Sequence, residues 1–169
     1  MRLPALLLLF LPLIAGAQSN GVRQFTDWVF YTVPAQGTEP AIAVVETARP
    51  VRGISMLYTC TSALEGPEES LLVLNPGFAE MPEGKRFETL FTFGEGDRRD
   101  YVDAELLADP QHATLDVVRG RRKVLDRMQA FTAFIITQGD TAITEIAIPT
   151  EGFSDALARA RDRCGVPAS

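Results

Sequence analysis

Hydrophobic positions fall into three regimes along the chain. An apolar run occupies Leu3 to Ile14, short runs of alternating apolar and polar residues follow from Asp27 onward, and near the C-terminus apolar residues recur every three or four positions. Alternation over four to eight residues predicts half-buried strands. Such runs lie at Trp28 to Val33, Ala41 to Glu46, Gly53 to Thr61, Leu71 to Asn75, Phe87 to Phe93, Asp100 to Leu106 and Thr114 to Val118. The gaps carry turn residues: Pro34-Ala35-Gln36-Gly37, Glu65-Gly66-Pro67, Asn75-Pro76-Gly77 and Gly94-Glu95-Gly96-Asp97. Val124, Leu125 and Met128 mark a short helix over Arg122 to Gln129. A hairpin follows, from Phe131 to Thr137 through Gln138-Gly139-Asp140 into Thr141 to Ile148. Phe153, Ala156, Leu157, Ala160 and Cys164 then stand at helical spacing. Ser154 is placed to cap that helix, Arg159, Arg161 and Arg163 suit its C-terminal dipole, and Gly165 with Pro167 ends it. The pattern predicts a mainly β (α+β) domain, a curled antiparallel sheet or β-sandwich of about 8–9 strands with a short helix and a C-terminal helix.

The first regime reads as an address. Arg2 precedes the apolar run, and Ala15-Gly16-Ala17 precedes the polar Gln18-Ser19-Asn20. Charged, apolar and small-residue regions in that order are a secretory signal, here residues 1–17, with cleavage expected between Ala17 and Gln18. A membrane helix needs about 18 to 20 apolar residues, and Pro4 and Pro12 interrupt this shorter run. No later run in the chain is long enough to span a bilayer, so the mature form, a single domain over residues 18–169, is expected to be periplasmic or secreted. Loss of Arg2 takes Lys+Arg from 16 to 15 against 22 Asp+Glu, and the formal charge from −6 to −7. That balance disfavours nucleic acid and anionic membranes as partners.

Export gives the two cysteines a meaning. Cys60 and Cys164 form an even count in an oxidising setting, where one disulfide is the simplest reading; a zinc site lacks further ligands and free thiols need a reducing compartment. Alternation turns Ile54, Met56, Tyr58 and Cys60 to one face of a strand. The bond would therefore lay the helix stripe Leu157, Ala160 and Cys164 over that face.

Little of the chain reads as catalysis. The single histidine, His112, lies in the turn sequence Asp109-Pro110-Gln111-His112, and no nucleophile elbow, metal-binding pair, phosphate loop or dinucleotide fingerprint is present. No catalytic, metal or cofactor site is expected. The acidic stretch Glu95, Asp97, Asp100, Asp103 and Glu105 lacks calcium-loop order, with Arg98 and Arg99 in its midst, and reads as a solvated face. Trp28, Phe25, Phe30 and Tyr31 read first as core or edge cover. Arg119, Arg121, Arg122 and Lys123 form the one basic cluster, a candidate binding patch for a phosphate, acidic peptide or polysaccharide, or else a charged turn into the short helix. These residues predict a non-enzymatic exported domain that binds a protein or envelope component. The alternatives are an envelope hydrolase or enzyme inhibitor using the acidic residues, and a purely structural envelope protein.

Two stretches carry a family resemblance. Phe25-Thr26-Asp27-Trp28-Val29 is similar to the aspartate-tryptophan opening of the invasion-associated locus B family. Thr144-Glu145-Ile146-Ala147-Ile148 with Gly152-Phe153-Ser154-Asp155-Ala156-Leu157 resembles its closing strand, Gly-Phe turn and Ala-Leu helix. The likeness departs at Tyr31, near where the family has a cysteine, and in the absence of further mid-chain cysteines. It implies a small periplasmic protein of a family in which some members are linked to host-cell invasion, and it brings no catalytic residues.

Overall fold

A computed structural model describes residues 21–38, 40–63, 66–94, 96–130, 133–137 and 146–167. The leader with its cleavage site, Glu95, the hairpin turn 138–140 and the expected strand residues 131–132 and 141–145 lie outside these residues. Among the described residues ten strands form one antiparallel sheet: β1 Arg23–Phe25, β2 Trp28–Val33, β3 Ile42–Thr47, β4 Ser55–Ala63, β5 Gly66–Leu74, β6 Arg86–Phe93, β7 Asp100–Asp109, β8 Thr114–Arg119, β9 Ala133–Thr137 and β10 Ile146–Pro149. Their order across the sheet is β1-β2-β3-β4-β5-β8-β7-β6-β9-β10. The described residues also form two α-helices, α1 Arg121–Ala130 and α2 Phe153–Cys164.

Register shows how alternation builds a single core. Met56, Tyr58 and Cys60 of β4 stand opposite Val73, Leu71 and Glu69 of β5 on one side, and Tyr58 and Cys60 stand opposite Val45 and Ala43 of β3 on the other. The same face continues through Leu115 and Val117 of β8, Leu106 and Ala104 of β7, and Phe87 and Phe91 of β6. Apart from Glu69, all these side chains are buried, and the buried stripes of both helices join them in one cluster. Burying a side chain of the Leu or Phe class contributes about 1.5–3 kcal/mol over leaving it exposed. The concave face, loaded with Trp28, Tyr58, Phe91, Phe93 and Phe153, is therefore the source of the fold's stability.

The sheet curls until its two ends meet without pairing into a barrel. The indole N–H of Trp28 in β2 donates to the Pro149 carbonyl of β10 at 3.1 Å, and the Asp27 N–H reaches the Glu151 carbonyl at 3.3 Å. Trp28 also packs on Phe153 with ring centroids 4.6 Å apart. Between them Gly152 has φ +83°, and a Cβ there would meet the Phe25 carbonyl oxygen at 2.3 Å. Only glycine satisfies both constraints.

The expected disulfide is present. Cys60 and Cys164 are bonded with Cα atoms 6.2 Å apart across 104 residues, and α2 lies over the Met56/Tyr58 face as alternation predicts. The helix start differs from expectation. Its N-cap is Gly152 with no side-chain cap, and Ser154 sits inside the first turn, because the close approach to Phe25 reserves the cap position for glycine. Gly53 also departs, lying with Arg52 in a tight turn at positive φ before the strand begins. β5 begins at Gly66 rather than Leu71, and β1, which pairs with β2 through Phe25↔Trp28, is too short to show alternation. Asn75-Pro76-Gly77 opens a 3-10 turn over Pro76–Glu80, with the Asn75 side chain accepting from the Gly77 N–H. Among the described residues no helix is long and apolar enough to cross a membrane.

Candidate functional site

The basic cluster owes its position to two local irregularities. In β8, Leu115 and Val117 point into the core, so strict alternation would send Arg119 there too. A β-bulge prevents this: Leu106 pairs with Val117 while Glu105 pairs with Arg119, which leaves Val118 as the extra residue. Arg119 is thereby turned outward beside Glu105 and Glu88, and pairs with both. Gly120 follows at φ +80°, where a Cβ would meet the Asp103 carbonyl oxygen at 2.7 Å. That contact sets the start of α1 against the first half of β7.

The result is an open groove of about 1080 Å³ between Tyr101-Val102-Asp103 of β7 and the outer face of α1. Arg119, Gly120, Arg121, Arg122, Lys123, Asp126 and Arg127 complete its lining. α1 is fixed from below by buried Val124, Leu125 and Met128. All four residues of the expected binding patch line this one groove. Sequence reasoning missed Tyr101, Val102 and Asp103 because β7 and α1 meet only through the fold, and it missed Asp126 and Arg127, which follow the cluster on α1.

Charge within the groove is divided between committed and free groups. Arg119 is held by Glu88 and Glu105, Glu105 also binds Arg86, and Arg127 holds Asp100 at 2.8 Å. The hydrogen bond from Arg86, together with the Arg86 and Arg119 charges, keeps the Glu105 carboxyl below the usual range against the effect of burial. Arg121, Arg122 and Lys123 form no ion pair among the described residues. They occupy the first turn of α1, which holds no acidic residue. A helix N-terminus carries a positive partial charge, so three cations there oppose the local preference. An anion entering the groove would meet both.

The other candidates go elsewhere. His112 is exposed in the β7–β8 turn, its Nδ1 2.6 Å from Asp109. Asp97, Asp100, Asp103 and Glu105 do not gather: Asp97 lies in a 3-10 turn, Asp100 and Glu105 are bound to arginines, and Asp103 is exposed. Trp28 and Phe30 are core, Phe25 packs against it, and Tyr31 donates to Glu46 on the outer face. Burial and the Glu46 charge push the Tyr31 hydroxyl up to about 12.

A partly buried network had no sequence signal. Tyr58 Oη donates to Glu69 Oε1 at 2.7 Å, and Arg161 Nε donates to the same oxygen at 2.9 Å. Burial works to raise the Glu69 carboxyl. The hydrogen bonds from Tyr58 and Arg161, with the Arg161 and Arg121 charges, overcome it and hold the group low. Burial and the same carboxylate keep Tyr58 neutral by raising its hydroxyl. This triad lies beside the disulfide, tying α2 to β4 and β5.

No family model matches the sequence, and no curated protein matches it. Among solved structures, the fold is similar to the crystal structure of invasion associated protein B from Bartonella henselae. The likeness has a TM-score of 0.51 at 12% identity and covers 84% of this chain and 95% of that one. It is a likeness of fold.

Proposed function

We propose that this protein is exported and acts in the periplasm or outside the cell as a non-enzymatic binding domain, engaging a protein or envelope component through the groove between β7 and α1. The observation that carries this reading is the set of cations that form no ion pair among the described residues, Arg122 and Lys123 with Arg121 beside them, in a groove on a chain of formal charge −6. Complementary charge in a concave site raises encounter rates and fixes orientation. The leader-like residues 1–17 and the disulfide support export. The fold shared with a protein described as invasion associated is consistent with a role in virulence. Of the acidic residues that a hydrolase would use, Asp100 and Glu105 are bound to arginines.

Capture from an envelope extract tests the reading, with the wild-type protein and an Arg121→Glu/Arg122→Glu/Lys123→Glu form as paired baits. A component retained by the first and lost by the second is expected; identical retention by both overturns the groove's role. Export is checked by fractionation and N-terminal sequencing, with Gln18 the expected first residue. An uncleaved cytoplasmic chain overturns it.

A further inference from the structure

Resting on the groove reading above, we infer that the ligand class is an extended acidic polypeptide segment, laid along the first half of β7 with its carboxylates toward α1. The argument starts from strand pairing. β7 pairs with β6 along Asp100 to Leu107, but with β8 only along Glu105 to Asp109. Beyond the bulge the chain leaves the sheet at Gly120 and becomes α1. Asp100 to Ala104 therefore pair with a strand on one side only; on the other, Gly120 lies against the Asp103 carbonyl and Arg127 holds Asp100, the Tyr101 N–H donates to the Asp100 side chain, and the groove opens between them beside Tyr101 to Asp103. Val102 is 6% exposed, its side chain in the core.

An edge of this kind recognises another extended chain. A strand added to it gains main-chain hydrogen bonds, and side-chain contacts then select the sequence. Three residues, Tyr101 to Asp103, at about 3.4 Å per residue give an edge of about 10 Å, matching a segment of about three residues. The opposite wall presents Arg121, Arg122 and Lys123. The lining also contains Asp103 and Asp126, which would repel a uniformly charged polyanion while tolerating a peptide that spaces its carboxylates. Tyr101, 54% exposed at the mouth, offers an aromatic surface to an intervening apolar residue. A lone phosphate would use the cations and leave the edge and Tyr101 idle.

The test titrates the purified protein with a capped Glu-Tyr-Glu-Val-Glu peptide, the same peptide N-methylated at alternate residues, and inorganic tripolyphosphate, followed by amide chemical shifts. Shifts confined to Tyr101–Ala104 and Arg121–Arg127 are expected with the first peptide. Affinity should fall at least tenfold on N-methylation, and at least tenfold in Arg122→Glu/Lys123→Glu. Tripolyphosphate binding as tightly as the peptide, with no effect of N-methylation, overturns the strand-addition inference in favour of a simple anion site. Shifts elsewhere, or none, overturn it as well. If the peptide fails while the paired baits still differ, the groove binds a partner by other chemistry; identical baits remove the groove itself.

Discussion

The two helices lie on one concave sheet and are built on opposite electrostatic plans. α2 has Asp155 in its first turn and Arg161 and Arg163 in its last, in accord with its dipole. α1 has Arg121, Arg122 and Lys123 in its first turn, against it. α2 is also fastened by the disulfide, by the Tyr58–Glu69–Arg161 triad and by Trp28 on Phe153. α1 is positioned by three buried side chains, the Gly120 contact and the Arg127–Asp100 pair. Where local rules agree, the sequence is serving stability; where they are broken on an exposed surface, another selection is acting. The asymmetry separates a locking half from a binding half.

If that division holds, the largest losses of stability come from the α2 side. Cys60→Ser/Cys164→Ser opens a loop of 104 residues and should cost about 2–5 kcal/mol, read as a lower urea midpoint. Peptide binding at the groove should survive wherever the protein stays folded, and a cost below about 1 kcal/mol would dissolve the contrast. Gly152→Ala comes next, at about 2–3 kcal/mol, because the added methyl meets the Phe25 carbonyl at positive φ. Thermal unfolding should show the loss, with Gly165→Ala, which meets nothing within 4 Å, losing less.

Glu69→Gln should cost about 2 kcal/mol, since it leaves Arg161, 12% exposed, without its counter-charge. The Glu69 carboxyl is depressed in the folded state. Its stabilisation is therefore fully present above the ordinary carboxylate value of 4.5 and is lost as pH falls through the folded value. Urea midpoints of wild type and variant should converge on acidification below about pH 4.5, and parallel curves would remove the triad from the locking half.

How far this contrast was legible in the sequence depends on the range of the interactions. Alternation in Ile54-Ser55-Met56-Leu57-Tyr58-Thr59-Cys60 placed one face correctly, and helical spacing in α2 placed its partner, so the disulfide and the packing beneath it could be read in advance. The cluster Arg119 to Lys123 was visible as charge, yet its division into paired and free members was not. That division depends on the bulge at Val118, which turns Arg119 toward Glu88 and Glu105, and a one-residue register shift has no composition signature. Tyr101 joined the site only through folding. The Gly152 cap was masked by Ser154, a better capping residue by local preference, because the Phe25 backbone that decides the matter lies more than a hundred residues away in the chain.

Asp116 shows the smaller strains of the β8 region. Burial raises its carboxyl, with the Arg121 charge and the Val117 N–H opposing, and its Oδ1 has no hydrogen-bond partner among the described residues. A raised carboxyl stabilises the fold only at low pH, below the ordinary value of 3.8, and that benefit is lost as pH rises through the folded value. At pH 7 the charged group is a net cost, so Asp116→Asn should raise stability by up to about 1 kcal/mol. The gain should vanish on acidification, and a loss at neutral pH would mean that Asp116 has a partner in solution.

The smallest effect carries the most information. Arg122→Glu replaces an exposed cation in the first turn of α1 with an anion, reversing an unfavourable dipole interaction worth about 0.3–1 kcal/mol. Stability should rise by about 0.5 kcal/mol in low salt, and the gain should shrink in 1 M salt, where charges are screened beyond about 3 Å. Affinity for the acidic peptide should fall in the same variant. A residue whose replacement improves the fold and weakens the groove has been kept for the groove, whereas a stability loss would return Arg122 to the locking half and erase the distinction between the two helices.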